Sequence, residues 1–289
     1  MDWLALLDLK TVPLKRFIAN VIAPHPSTLG HPLFSARLKD RKRRWQTENQ
    51  PHPLEAVASK VDGQNYMRSL GYAVPEVYGT YPSLDEIPRF EDLPRNFVLK
   101  PTMGWSSAGV FLMRDGVDWF SKRRLARDDL IRAAKSFTGS GRQGITGPWI
   151  AEELLVSFDG QGRPAPDYKL YCFGPKVVIV QICNRVSLRM RENQNWIRSP
   201  EWRPLPFRLQ WALYPDPSLP PKPPFLDELL RIASDVGGKL NIFVRIDMYA
   251  TDRGPVFGEF TDFPNAGKSF TPRANAWLGS HWKTKDGGM

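Results

Sequence analysis

The chain has little cysteine, little histidine and no long apolar run, and each shortage excludes a class of protein. Among 289 residues there are two cysteines, Cys172 and Cys183, too few for a disulfide-stapled scaffold. Both lie in apolar strand-like runs, so they are expected as buried thiols in a reducing compartment. No apolar stretch approaches the ~18 to 20 residues that a membrane span needs. The start, MDWLALLDLKTVPLKRF, carries Asp2 and Asp8 and lacks both a basic n-region and a small-residue cleavage site, so it does not read as a secretion signal. These absences predict a soluble, cytoplasmic protein. The four histidines are scattered, and no general base stands out among them. The GxxxxGK(S/T) order of a P-loop is missing, and no internal repeat is visible.

What is present is enough for a sizeable core: 42% of residues are hydrophobic and 24% charged. The formal charge is +10, much of it in ARLKDRKRRW, which holds Arg37, Lys39, Arg41, Lys42, Arg43 and Arg44. Such a cluster attracts polyanions or forms a solvated helix face, and both readings stand for segment 37–44. Nucleic acid is not expected.

Leu4, Leu7, Leu14, Phe17 and Ile18 suggest a helical apolar stripe near the start. The periodicity divides the rest into a helix ending near Gly71, a strand in VPEVYGTY, and the strand–loop–strand unit NFVLKPTMGWSSAGVFLM. An amphipathic helix, SKRRLARDDLIRAAKSF, then leads to the strand PWIAEELLV. DYKLYCFGPKVVIVQICNR reads as a hairpin turning at Gly174-Pro175. Residues 184–224 are irregular and rich in Arg, Trp and Pro. Trp105, Trp196, Trp202 and Trp211 could stack on sugar rings or simply pack. The ending WKTKDGGM is expected to fray.

FVRIDMYATDRGPVFGEFTDFP, residues 243–264, reads as two strands around a turn at Thr251 to Pro255. Side chains alternate faces along a strand, so Arg245 and Asp247 share one face while Val244, Ile246 and Met248 take the core side. A symmetric register sets Asp247 opposite Glu259 and Arg245 opposite Thr261. Like charges so opposed destabilise a sheet unless a cation, a shared proton or a nearby arginine intervenes. Mg²⁺ suits such a pair, being oxygen-loving and content with one or two carboxylates plus phosphates. An exposed strand face neutralised by Arg245 is the other reading.

Three further pieces suit a nucleotide. Lys100 closes a strand and can act as a point charge on phosphate. Gly104, Ser106, Ser107, Ala108 and Gly109 form a small-residue loop whose backbone N–H groups can approach phosphate oxygens. Lys169 lies on a strand face, and Glu152 and Glu153 lead into apolar Leu154 and Leu155. Each alone is equally a turn, a surface lysine or a hinge.

In order, these pieces resemble the ATP-grasp superfamily: a strand-end Lys, a small-residue loop, a Glu-rich hinge, a second strand Lys, then R-x-D and E-x-N/T-x-x-P. More narrowly, NFVLKPTMG, DYKLYCFGPK and FVRIDMYATDRGPVFGEFTDFPNAG look like the TupA-like branch, as does the lead-in SKVDGQNYMRSLGYAVPEVYGTY. The resemblance covers roughly residues 55 to 280. It implies an α+β, ATP-grasp fold whose two α+β subdomains grip ATP, preceded by a mostly helical N-terminal region. The implied division is 1–90 for that region with a short strand, 91–153 for the first subdomain, 154–282 for the second and 283–289 for a tail. It further implies that Lys100 and Lys169 hold the ATP phosphates under the loop 104–109. Glu152, Glu153 and Leu155 would line the adenine and ribose pocket. Asp247 and Glu259 would ligate Mg²⁺, with Thr261 and Asp262 assisting where many relatives carry Asn. Arg245 would face the γ-phosphate, and Arg185 an anionic substrate.

The implied activity is carboxylate–amine ligation through an acyl phosphate, joining an amino acid to a sugar, uronic acid or similar metabolite in polysaccharide or secondary-metabolite biosynthesis. A sugar or small-molecule kinase would use the same ATP site. A non-catalytic polyanion binder would use segment 37–44 and would leave the acidic pair unexplained.

Overall fold

The computed structural model describes residues 30–103, 108–138, 148–187, 192–211, 216, 218 and 220–289. The apolar stripe expected between Leu4 and Ile18, and Gly104, Trp105, Ser106 and Ser107 of the small-residue loop, lie outside the described residues.

The helices are α1 Phe34–Gln46, α2 Lys60–Ser69, α3 Arg127–Thr138, α4 Leu226–Leu240 and α5 Pro272–Ser280. The strands are β1 Val77–Tyr81, β2 Asn96–Pro101, β3 Phe111–Arg114, β4 Val117–Asp118, β5 Trp149–Glu153, β6 Asp167–Phe173, β7 Lys176–Asn184, β8 Gln194–Arg198, β9 Phe243–Thr251 and β10 Gly254–Thr261. They form two five-stranded sheets, ordered β1-β5-β2-β3-β4 and β10-β9-β6-β7-β8, and neighbouring strands in both run antiparallel. Strand β1 falls in the segment assigned to the N-terminal region, yet it pairs with β5 and closes one edge of the first sheet.

Each sheet is covered by a helix of matching period. In α4, Leu226, Leu229, Ile232, Ala233 and Val236 are buried, the spacing of one apolar helix face. That face packs with Leu170, Cys172, Val180, Val244 and Ile246 of the second sheet. The helix comes unusually near the β6–β7 turn: a Cβ at Gly237 would lie 2.3 Å from Gly174 O, so only glycine fits. On the first sheet, Leu130, Ile131 and Ala134 of α3 pack with Phe97, Leu99 and Met113.

The other face of the second sheet is divided along its length. At one end Tyr171, Phe173, Ile179 and Phe243 pack beneath Phe34 and Leu38 of α1 and Ala274 and Leu278 of α5. At the other end the same strands carry Asp167, Lys169 and Asp247, all buried. Helix α2 lies against β10; it begins at Ser59, whose hydroxyl caps the first turn by accepting from Asp62 N at 3.1 Å.

The final residues do not fray. Phe243 N donates to Asp286 O at 2.8 Å, Met289 N donates to Asn241 Oδ1 at 3.1 Å, and Gly287 and Gly288 are buried. Alternative partners for backbone groups in the tail make docking preferable to solvation.

Candidate active site

Where the charged end of the second sheet faces the first sheet, the two border a solvent-open cleft. Its lining is of two kinds. Val98, Val110, Leu112, Leu154, Leu155, Pro164 and Ala165 contribute apolar side chains, while Lys60, Lys100, Asp167, Arg185, Asp247 and Glu259 contribute charged ones. A ligand that carries both a flat apolar group and an anionic group matches such a lining.

The acidic pair is set by the β9–β10 register. Glu259 pairs with Asp247 and Thr261 with Arg245. The route to that register corrects the sequence reading. The turn is three residues shorter than a Thr251-to-Pro255 turn requires, because Thr251 pairs with Gly254. A bulge between Phe257 and Glu259 then inserts Gly258 and restores the expected pairing. Gly258 is held tightly, since a Cβ there would lie 2.9 Å from Tyr249 Cε2 and 3.1 Å from Asp247 O.

Both oxygens of Asp247 are engaged by cations. Lys169 Nζ donates to Oδ2 at 2.5 Å, Arg245 Nε donates to Oδ1 at 2.6 Å and Arg245 Nη2 donates to Oδ2 at 2.7 Å. Arg245 Nη2 also donates to Thr261 Oγ1 at 2.9 Å and lies 3.8 Å from Glu259 Oε1. Burial pulls the Arg245 guanidinium down, but Asp247 outweighs it and the net shift is upward.

Next along the sheet, Asp167 bridges two cations, with Arg185 Nε at 2.9 Å and Lys169 Nζ at 3.4 Å. Burial pushes this carboxyl up, yet Lys169 and Arg185 hold it down at about 2, so it stays ionised in ordinary buffers. Burial likewise lowers Lys169, but Asp167 and Asp247 reverse the shift. Asp167 escaped the sequence reading although it lies two residues before Lys169 and therefore on the same strand face.

From the first sheet, Lys100 Nζ donates to Glu152 Oε1 at 2.5 Å, and Gln64 Nε2 donates to Glu152 Oε2 at 2.8 Å. Glu152 thus lines the cleft while both its oxygens serve a neighbouring side chain. Glu153 turns to Arg253, 2.6 Å away, and is correspondingly drawn toward the β9–β10 turn. Leu155 and Ala108 line the cleft as expected, and Gly109 has φ +70°, a conformation that favours glycine. Lys60 also lines the cleft. Burial lowers it and Glu259 opposes that shift. Its signal in the sequence was a lysine directly after the helix-capping Ser59.

Three expectations need correction. Asp262 does not join the acidic pair: it follows the end of β10, and its carboxylate lies 3.3 Å from His52 Nε2. Cys183 is half-buried and lines the cleft. The basic segment is not one solvated face. Arg41 is fully buried and donates to the backbone oxygens of Phe243, Asp262 and Asp286, while Arg44 pairs with Asp40 at 3.0 Å and Asp286 at 2.8 Å. Lys39 and Lys42 remain exposed. Of the tryptophans, for which the sequence left both stacking on sugars and packing open, Trp196 is core and Trp202 stacks on Tyr168 with ring centroids 6.5 Å apart.

Asp247 and Glu259 offer hard oxygen donors from directly paired strand positions, and Asp247 already gathers cationic partners. That chemistry fits Mg²⁺, which needs one or two carboxylates when phosphates complete its shell.

No curated protein matches the chain. Among solved structures it is similar to the D-alanine–D-alanine ligase of Bacillus anthracis complexed with ATP, at 14% identity and TM-score 0.43 over 72% of this chain and 54% of that one. The VanG D-Ala:D-Ser ligase of Enterococcus faecalis is similar at 15% identity and TM-score 0.43, over 77% and 55%. The biotin carboxylase domain of the Hydrogenobacter thermophilus 2-oxoglutarate carboxylase, with MgADP and bicarbonate, is similar at 13% identity and TM-score 0.45, over 78% and 45%. This chain spans about half the length of those structures. A family model described as TupA-like ATP-grasp matches residues 36–283. That match takes in both sheets and every cleft residue named above, and the chain belongs to the TupA-like ATP-grasp family.

Proposed function

We propose that the protein is an ATP-dependent carboxylate–amine ligase whose reaction runs through an acyl phosphate. The observation that carries this reading is the cleft: its lining joins apolar side chains suited to adenine with the cations Lys60, Lys100 and Arg185, beside the Asp247–Glu259 pair. Lys60, Lys100 and Lys169 hold the phosphates, and Arg245 faces the γ-phosphoryl group. Leu154, Leu155, Val98 and Leu112 form the walls for the base. Asp247 and Glu259 would hold Mg²⁺, which when bound supplies charge neutralisation across the phosphate oxygens. Lys169 and Arg245, now on Asp247, are then free to turn to phosphate.

In the first step a substrate carboxylate oxygen bonds to the γ-phosphorus, and the bond from that phosphorus to the β–γ bridging oxygen breaks, releasing ADP. An amine nitrogen then bonds to the acyl carbon, phosphate leaves with the electron pair of its C–O bond, and the nitrogen loses a proton to solvent. Such phosphoryl transfer asks the protein mainly for positioning and charge compensation. Arg185, held by Asp167 at the cleft wall, receives the anionic substrate. An amino acid and a sugar or uronic acid are the substrates this reading favours, in cytoplasmic assembly of a polysaccharide or secondary metabolite.

The test is ATP turnover with Mg²⁺ across a panel of amino acids and uronic acids, comparing wild type with Glu259→Gln. Substrate-dependent ADP and free phosphate, lost in the variant, is the expected result. ADP without free phosphate would replace the ligase with a kinase. Absence of ATP binding would remove the nucleotide reading altogether.

A further inference from the structure

Helix α2 presents two polar side chains one turn apart toward the first sheet. Lys60 reaches the cleft. Gln64, four residues on and so on the same helix face, stops behind it with only 1% of its surface exposed. Its amide nitrogen donates to Glu152 Oε2 at 2.8 Å, and the other oxygen of that carboxylate accepts from Lys100 Nζ at 2.5 Å. Lys100 and Glu152 occupy neighbouring strands, but not paired positions: Lys100 pairs with Ile150, and Glu152 with Val98. Their side chains therefore meet diagonally, a reach that long side chains achieve in only some rotamers. Gln64 selects the one in which Glu152 lies toward Lys100.

The selection has a visible cost. With its nitrogen committed to the carboxylate, Gln64 leaves its own Oε1 buried and without a hydrogen-bond partner. Buried polar atoms are nearly always paired, and leucine or methionine would fill this volume without an orphan oxygen. A residue kept at that cost is explained by what its other end does.

We infer that Gln64 is a positioning residue that acts through Glu152 to fix the Lys100 ammonium at the cleft, and so sets the affinity for the nucleotide phosphates. This rests on the ATP reading proposed above. Gln64 touches no substrate. It does its work by keeping Glu152 from turning into the cleft, where it would repel phosphate, and by denying Lys100 alternative positions. Lys60, Tyr78 and Tyr249 also feel the Glu152 charge.

Calorimetric titration of MgATP into wild type, Gln64→Leu and Gln64→Glu over a pH series tests this. Gln64→Leu is expected to bind about tenfold more weakly, the scale of one lost buried hydrogen bond to a charged group. Gln64→Glu sets two carboxyls against each other, where one shared proton is retained. That proton reproduces the amide donor, so binding relative to wild type should recover near about pH 5 and fall away toward about pH 8 as the proton leaves. A purely structural role gives no such profile. Gln64→Leu binding within about twofold of wild type overturns the inference. Should that variant fail to fold, a Gln64→Glu profile parallel to wild type overturns it instead. Wild type that binds no MgATP sinks the ATP reading itself, a result distinct from either.

Discussion

Two carboxylates at paired positions carry different loads. Asp247 is 2% exposed and answers three donated hydrogen bonds from Lys169 and Arg245. Glu259 has a side chain 37% exposed, and Arg245 Nη2 comes no nearer to it than 3.8 Å. Removing one partner of a buried charge network leaves the others uncompensated, so Asp247→Asn should lower stability by about 3 kcal/mol or more in urea unfolding. Glu259→Gln should change stability by less than about 1 kcal/mol, yet both variants should lose Mg²⁺-dependent turnover. Equal destabilisation by the two would contradict this division. The facing acids were legible in the sequence because strand alternation and a short turn constrain the register. That Arg245 spans Asp247 and Thr261 was not, since a two-residue offset along a strand states a shared face and no rotamer.

The β9–β10 hairpin shows how an element can reach an expected pairing by an unexpected path. A symmetric hairpin around a five-residue turn and a two-residue turn with one bulge both place Glu259 opposite Asp247. Only the second gives Gly258 a place in the cleft wall, where the backbone comes close to the site. Gly258→Ala would drive a methyl into the Tyr249 ring and the Asp247 carbonyl. Overpacking of this kind costs about 1 to 3 kcal/mol, so a lowered urea midpoint together with weakened MgATP binding is expected. An unchanged midpoint would mean that Tyr249 yields more easily than its burial suggests. A bulge leaves almost no trace in sequence beyond a glycine within a strand.

At the scale of the molecule, the second sheet hosts both a core and a site on a single face. Aromatic residues under α1 and α5 seal one end, and the charged residues occupy the other. Arg41 marks the seam. It is fully buried, its guanidinium lies 4.6 Å from the Trp45 ring centroid and 5.2 Å from that of Trp282, and it donates to carbonyls of β9 and the C-terminal tail. Burial draws its pKa down to about 10, so it remains a cation in neutral solution. Arg41→Met keeps the volume and abandons those carbonyls, each an acceptor whose loss costs about 1 to 3 kcal/mol. A clear drop in melting temperature and faster proteolysis of the tail are expected, with MgATP affinity nearly unchanged. A tail that stays protected would show that packing alone holds it.

Sequence by itself determined the elements and the chemistry available to them. The 3.6 and 2.0 periodicities marked α2, α3 and the paired strands, and the order of Lys100, Lys169, Arg245, Asp247 and Glu259 carried the family likeness. Those features are local or depend on order alone, and so survive in one dimension. Tertiary structure decided which charges meet. It sent Arg41 and Arg44 inward from what reads as a basic surface run, turned Asp262 toward His52, brought Asp167 between Lys169 and Arg185, and set Gln64 behind Glu152. Each of those outcomes depends on contacts between residues distant in the chain, where burial makes a charge or amide costly until a partner arrives from another element. No local pattern specifies that partner.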